Sequence, residues 1–161
     1  TPKPSSAASD VYKRQIPNTV ILIYEKAFSL NLTLEMITFG ENVETIGDEA
    51  FSGCENLVNV NFNNAPIKSI GTKAFERCHS LDTIVLPTQL EKLGSSVFMG
   101  CSQLVEIYFS NTILEIGRNC FTGCTSLETI YTDFDFVDQL KVIFAQNNEK
   151  FIDYITGISR N

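Results

Sequence analysis

The residue types in this chain that could carry chemistry are five cysteines and a single histidine. Cys78 and His79 are adjacent, which invites a nucleophile–base reading. Cysteine hydrolases, however, draw thiol, imidazole and orienting group from distant segments, and no third group presents itself. Cys120-x-x-x-Cys124 lacks the closely spaced pairs of a zinc site. No phosphate-binding loop, glycine-rich dinucleotide turn or His-Glu-x-x-His motif occurs. The sequence therefore predicts no catalytic residue, no metal ligand and no cofactor. Asn31-Leu32-Thr33 fits the N-glycosylation pattern. Its position matches that of the cysteines described next, so an unused sequon is expected.

Four of the cysteines, Cys54, Cys78, Cys101 and Cys124, sit three residues after Phe51, Phe75, Phe98 and Phe121. With Phe28, these phenylalanines recur at intervals of 23, 24, 23 and 23. Six residues after each comes Leu34, Leu57, Leu81, Leu104 or Leu127. Three further on stands Ile37, Val60, Ile84, Ile107 or Ile130, and two beyond that Phe39, Phe62, Leu86, Phe109 or Thr132. Five before each Phe lies Ile23, Ile46, Ile70, Leu93 or Ile116. So many matched slots in five copies define an internal repeat. The one extra residue falls at Asn63-Asn64-Ala65-Pro66, a turn-like stretch that tolerates insertion.

The spacing dictates local structure. Leu57-x-x-Val60-x-Phe62 alternates at period two, which suits a short strand with one buried face. Gly47, Gly71, Gly94 and Gly117 follow the Ile slot, where a positive φ is expected. The next residues suit one helical or 3₁₀ turn that drives the Phe inward. A second glycine (Gly53, Gly100, Gly123) ends that turn in three copies. No single coil buries its apolar slots alone, so neighbours must stack. Stacking turns the cysteines into an inward column of small hydrophobes. Bridges between adjacent coils are sterically open to them but not required.

The repeat spacing predicts an α/β repeat solenoid, and composition allows its core. Hydrophobic residues make up 43% and charged residues 19%, enough for a core. The net charge of −7 offers no footprint for a nucleic acid. No apolar stretch is long enough for membrane insertion as a helix.

The segments Ala50-Phe51-Ser52-Gly53-Cys54-Glu55-Asn56-Leu57 and Phe121-Thr122-Gly123-Cys124-Thr125-Ser126-Leu127, together with Leu86-Pro87, resemble the BspA-like, or treponemal-type, class of leucine-rich repeats. The resemblance implies a right-handed coil with short parallel strands, short helical turns and five repeats over residues 16–132. It also implies a cell-surface or secreted protein engaged in recognition or adhesion. The first coil departs from the pattern at Tyr24, Leu30 and Asn31. Residues 133–161 are expected to form a C-terminal helical cap, with Val137, Leu140, Ile143 and Phe144 on one face and a second short helix ending near Gly157. Residues 1–15 share nothing with the repeat and are set aside as a non-native or linker segment, disordered, at the start of a fragment.

The informative positions are the outward ones on the ladder strands. One column runs Met36, Asn59, Thr83, Glu106, Thr129, and the next Thr38, Asn61, Val85, Tyr108, Tyr131. Tyr108 and Tyr131 should stand side by side, with Val85 and Glu106 completing a contact centre. Thr83, Thr129, Asn61 and Asn59 extend it. The expected function is a non-enzymatic, monomeric module holding a protein ligand, including a glycan-bearing one, on this face. The alternatives are a structural spacer or self-associating stalk, and the targeting module of a larger enzyme.

Overall fold

The computed structural model describes residues 12–159. Each coil contributes one strand to a first parallel ladder: β1 (Lys13–Gln15), β3 (Met36–Thr38), β5 (Asn59–Asn61), β7 (Thr83–Val85), β9 (Glu106–Tyr108) and β11 (Thr129–Asp133). Equivalent slots lie in register, Ile37 on Val60 and Ile84 on Ile107 on Ile130. A second, unbroken ladder joins β2 (Leu22–Ile23), β4 (Thr45–Ile46), β6 (Ser69–Ile70), β8 (Lys92–Leu93) and β10 (Glu115–Ile116). Each coil's third side is a run of turns closed by bonds at the 3₁₀ spacing, such as Ser52 N–H to Glu49 O at 3.0 Å and Cys54 N–H to Phe51 O at 3.1 Å. The same segment bonds to the next coil through Glu49, Phe51 and Gly53 N–H, each at 2.8 Å.

The core is a column of aromatic rings. Phe28, Phe51, Phe75, Phe98 and Phe121 stack with centroid spacings of 5.1, 5.2, 5.8 and 6.1 Å, and Phe144 continues the column at 5.6 Å. Phe51, Phe75, Phe98 and Phe121 are fully buried. The period of 23 to 24 residues therefore sets the axis of the solenoid.

Three expectations are corrected. Gly47, Gly71, Gly94 and Gly117 do not have positive φ. They are glycine because adjacent coils touch there: a Cβ on Gly94 would lie 2.6 Å from the backbone nitrogen of Thr72. Positive φ is found instead two residues before and two after each Phe, and Gly53, Gly100 and Gly123 fill the later slot.

The second correction concerns the start of the ladder. Of residues 1–15, residues 1–11 lie outside the described range, but Lys13–Gln15 forms β1, paired with β3 from Lys13↔Met36 to Gln15↔Thr38. A boundary at Ile16 thus cuts the ladder. β1 is polar and exposed, held by backbone bonds that no hydrophobic pattern reports.

The third concerns the cap. A 3₁₀ turn (Phe134–Phe136), α1 (Val137–Asn147) and a 3₁₀ helix (Glu149–Tyr154) do follow, but the chain then returns as β12 (Ile155–Ile158), parallel to β11. Ile155 covers Ile130, so β12 extends the ladder where a second helix was expected. Asn148 completes the seal: its Oδ1 accepts from Cys120 N–H at 3.3 Å and its Nδ2 donates to Gly117 O at 3.0 Å.

Candidate functional site: the strand face

The first ladder's outward side chains form the candidate site. β7, β9 and β11 are continuous, with Thr83↔Glu106↔Thr129 and Val85↔Tyr108↔Tyr131 directly opposite one another. In-register parallel strands bring outward side chains on adjacent coils within contact distance. The rings of Tyr108 and Tyr131 accordingly stack, centroids 4.5 Å apart and planes at 19°. The Tyr108 hydroxyl donates to Glu106 Oε2 at 3.1 Å. Partial loss of water and this carboxylate together raise the Tyr108 phenol above its ordinary pKa. Beside the pair, Val85 is 59% exposed, an unusual exposure for valine in a strand. Among these positions Glu106 is the only charge, so the platform is apolar and acidic.

Asn59 and Asn61 do not join this surface continuously. β5 pairs with β3 and β7 pairs with β9, but no backbone hydrogen bond joins β5 to β7. The sequence-predicted columns are therefore split into two blocks. The extra residue at Asn63-Asn64-Ala65-Pro66 lengthens the turn after β5, with Asn63 at φ 51° and its N–H bonded to Asn61 Oδ1 at 2.8 Å.

A model of the BspA type leucine rich repeat region matches residues 9–150, in six copies. The chain belongs to the BspA-type leucine-rich repeat family. The match takes in β1, ahead of the five coils counted from the phenylalanine period. Among solved structures, the chain is similar to the leucine rich repeat protein of T. pallidum, at 29% identity and a TM-score of 0.72, covering 74% of this chain and 58% of that one. It is also similar to a leucine rich cell surface protein of Faecalibacterium prausnitzii, at 29% identity and a TM-score of 0.72, covering 75% and 32%. The pneumococcal vaccine antigen PcpA shares the fold at 17% identity, with a TM-score of 0.70 over 93% of this chain and 42% of that one. This chain thus spans little more than half of the first structure and a third of the second. No curated protein matches.

In this BspA-type array the cysteine slot is structural. All five cysteines are free and buried. Cys54, Cys101 and Cys124 donate to the carbonyls of Phe28, Phe75 and Phe98 at 3.1 Å, and Cys78 to Phe51 O at 3.4 Å. Each thiol thus binds the backbone of the coil before it. Burial pushes Cys54 up to about 11, and Cys120 and Cys124 up to about 12. Cys78 is raised as well, chiefly by burial, the opposite of an activated nucleophile beside His79. Asn31 is half-buried, and its Oδ1 accepts from both the N–H and the hydroxyl of Thr33, at 3.1 and 2.9 Å. A cavity of about 670 Å³ between Asn111, Asp133–Phe136 and Ile158 has no cysteine, histidine or lysine in its lining. No group of three or more metal-ligating side chains occurs, and no helix is long and apolar enough to cross a membrane, among the described residues.

Proposed function

We propose that this BspA-type segment is a non-enzymatic recognition module, part of a cell-surface or secreted protein, that holds a protein ligand on its strand face. The observation that carries the reading is the Tyr108–Tyr131 stack beside exposed Val85 and Glu106. Stacked tyrosines are already ordered, so a partner gains aromatic area without freezing rotamers. Glu106, with no cation on β7, β9 or β11 to compete for it, favours a lysine- or arginine-bearing epitope. The cell-surface description of one similar structure is in keeping with an extracellular ligand. Buried, proton-holding thiols are unsuited as nucleophiles, in keeping with a binding role.

The test is a screen of the chain against an array of extracellular protein domains, with Tyr108→Ala/Tyr131→Ala as comparator. The unaltered chain is expected to bind at least one domain saturably, and the double variant about tenfold or more weakly, as loss of a hot-spot pair requires. Matched thermal unfolding of both proteins excludes a trivial cause. Unchanged affinity, or no saturable partner, overturns the assignment.

A further inference from the structure

The break in the first ladder lies at a cleft of about 380 Å³ lined by β5 and β7. Polar Asn59, Asn61, Asp82 and Thr83 line it together with apolar Val60 and Val85. The side chains of Asn59, Asp82 and Thr83 make no hydrogen bond within the described residues. Val60 is only half-buried, whereas Ile37, Ile84, Ile107 and Ile130 in the same slot are buried. At other steps a strand N–H reaches across to the neighbouring coil: Asn59 to Glu35 O at 3.1 Å, Glu106 to Asp82 O at 3.3 Å, Phe39 to Asn61 O and Phe109 to Tyr131 O at 2.8 Å. The corresponding N–H groups of Thr83 and Phe62 make no such bond. Backbone donors, carboxamides, a hydroxyl and one carboxylate therefore converge on an apolar floor.

The geometry points to a carbohydrate subsite: we infer that this cleft takes a neutral sugar ring, hydroxyls to Asn59, Asp82, Thr83 and the freed amides, C–H face on Val60 and Val85. Size and chemistry narrow the choice. Cα atoms of β5 and β7 still approach within 8 Å. An inserted peptide strand needs two ladder spacings, roughly 9.6 Å, so it does not fit. Asp82 lines the cleft with no cation beside it, which disfavours an anion, and one carboxylate is too few for a metal. The volume lies at the low end of roughly 300–1,000 Å³ for small-molecule sites, enough for a ring or two. Mixed neutral donors and acceptors over aliphatic surface match the alternating hydroxyls and C–H groups of a pyranose. This inference shares Val85 with the tyrosine platform but does not depend on the tyrosines.

Titration of the full chain with glucose, galactose, mannose, N-acetylglucosamine and lactose, followed by ¹⁵N NMR, tests it. At least one sugar is expected to shift the amides of Asn61, Phe62 and Thr83 saturably, with Ile70 and Leu93 on the second ladder unmoved. Asp82→Ala and Asn59→Ala should each weaken that binding about tenfold, the scale of one hydrogen bond to a charged or well-placed group. Tyr108→Ala/Tyr131→Ala should leave the sugar shifts in place, so the two readings fail separately. Deleting Asn64 should restore the period, protect the Thr83 amide from exchange and abolish sugar binding. If no sugar gives a saturable response, or if the response survives both point substitutions, the inference is wrong.

Discussion

Arg77 and Gly100 occupy the same slot one coil apart, and both are left-handed, at φ 59° and φ 78°. The turn requires this conformation in every coil, and glycine alone adopts it without steric penalty. Leu30, at φ 58°, carries the same strain. Arg77→Gly is therefore expected to stabilise the chain by about 1 kcal/mol, raising the midpoint of thermal unfolding by about 2–4 °C for a domain of this size. The reverse change, Gly123→Val, should lower it by at least as much. A neutral or destabilising Arg77→Gly, measured by calorimetry, would mean that the arginine's packing outweighs the backbone strain.

The other glycine column fails differently. A Cβ on Gly71 would sit 2.6 Å from the backbone nitrogen of Asp48, and one on Gly117 2.4 Å from that of Ser95. Backbone cannot swing aside as a side chain can, so Gly71→Ala must separate two coils. The expected loss is about 3 kcal/mol or more, above the usual overpacking cost because the phenylalanine stack beside it opens too. Urea unfolding of Gly71→Ala against Ser69→Ala, a half-buried neighbour, measures it. Equal stability would contradict the close approach of the coils.

The phenylalanine period made most of this fold legible. A ring every 23 to 24 residues, followed at fixed offsets by Leu and Ile, leaves no register but stacked coils. It also placed Tyr131 beside Tyr108, since outward residues inherit the register of inward ones. The missing parts share a cause: they are written in the backbone and not in side-chain periodicity. β1 is Lys-Arg-Gln, held by amide bonds alone. The role of Gly94 depends on a neighbouring coil 22 residues away, invisible to any local turn rule. The extra residue before Pro66 was visible, but the opened ladder beside it depends on where β7 lies. Asn148 is one asparagine among several, distinguished only by the Cys120 amide and Gly117 carbonyl it satisfies.

The thiol column makes stability sensitive to alkali. Burial raises the folded pKa of Cys54 to about 11 and of Cys120 and Cys124 to about 12, against an ordinary value of 9.0. A folded pKa above the unfolded one means the native state holds its proton more tightly. The associated stability is complete below about pH 9 and is lost as pH rises through the 9-to-12 window. Urea midpoints should be flat from pH 7 to 8.5 and fall steadily above pH 9, and the fall should shrink in Cys54→Ala. At pH 8 the native chain should resist iodoacetamide while the unfolded chain takes up five equivalents. Rapid labelling of the native chain would show the column to be open.

Thr132 is the one departure from the large apolar residues Phe39, Phe62, Leu86 and Phe109 in its slot. It is buried at 1% exposure, and its hydroxyl finds no hydrogen-bond partner. The cap explains why no aromatic stands there. Phe144 meets Phe109 edge-on, centroids 5.7 Å apart, and so fills space that the next ring of the column would claim. Phe39 and Phe62 stack on one another at 5.2 Å, and each meets the phenylalanine of the next coil edge-on, Phe51 at 5.9 Å and Phe75 at 6.3 Å. The hydroxyl itself gains nothing from this arrangement, because a buried oxygen without a partner costs about 1–3 kcal/mol of desolvation. Thr132→Val keeps the branched shape and removes that cost, and it should stabilise the chain by about 1 kcal/mol. Thr132→Phe should instead destabilise it by about 1–3 kcal/mol by displacing Phe144 and lifting α1. Calorimetric midpoints that rise for valine and fall for phenylalanine support a cap that completes the core, whereas a stabilising phenylalanine would show α1 to be loosely seated.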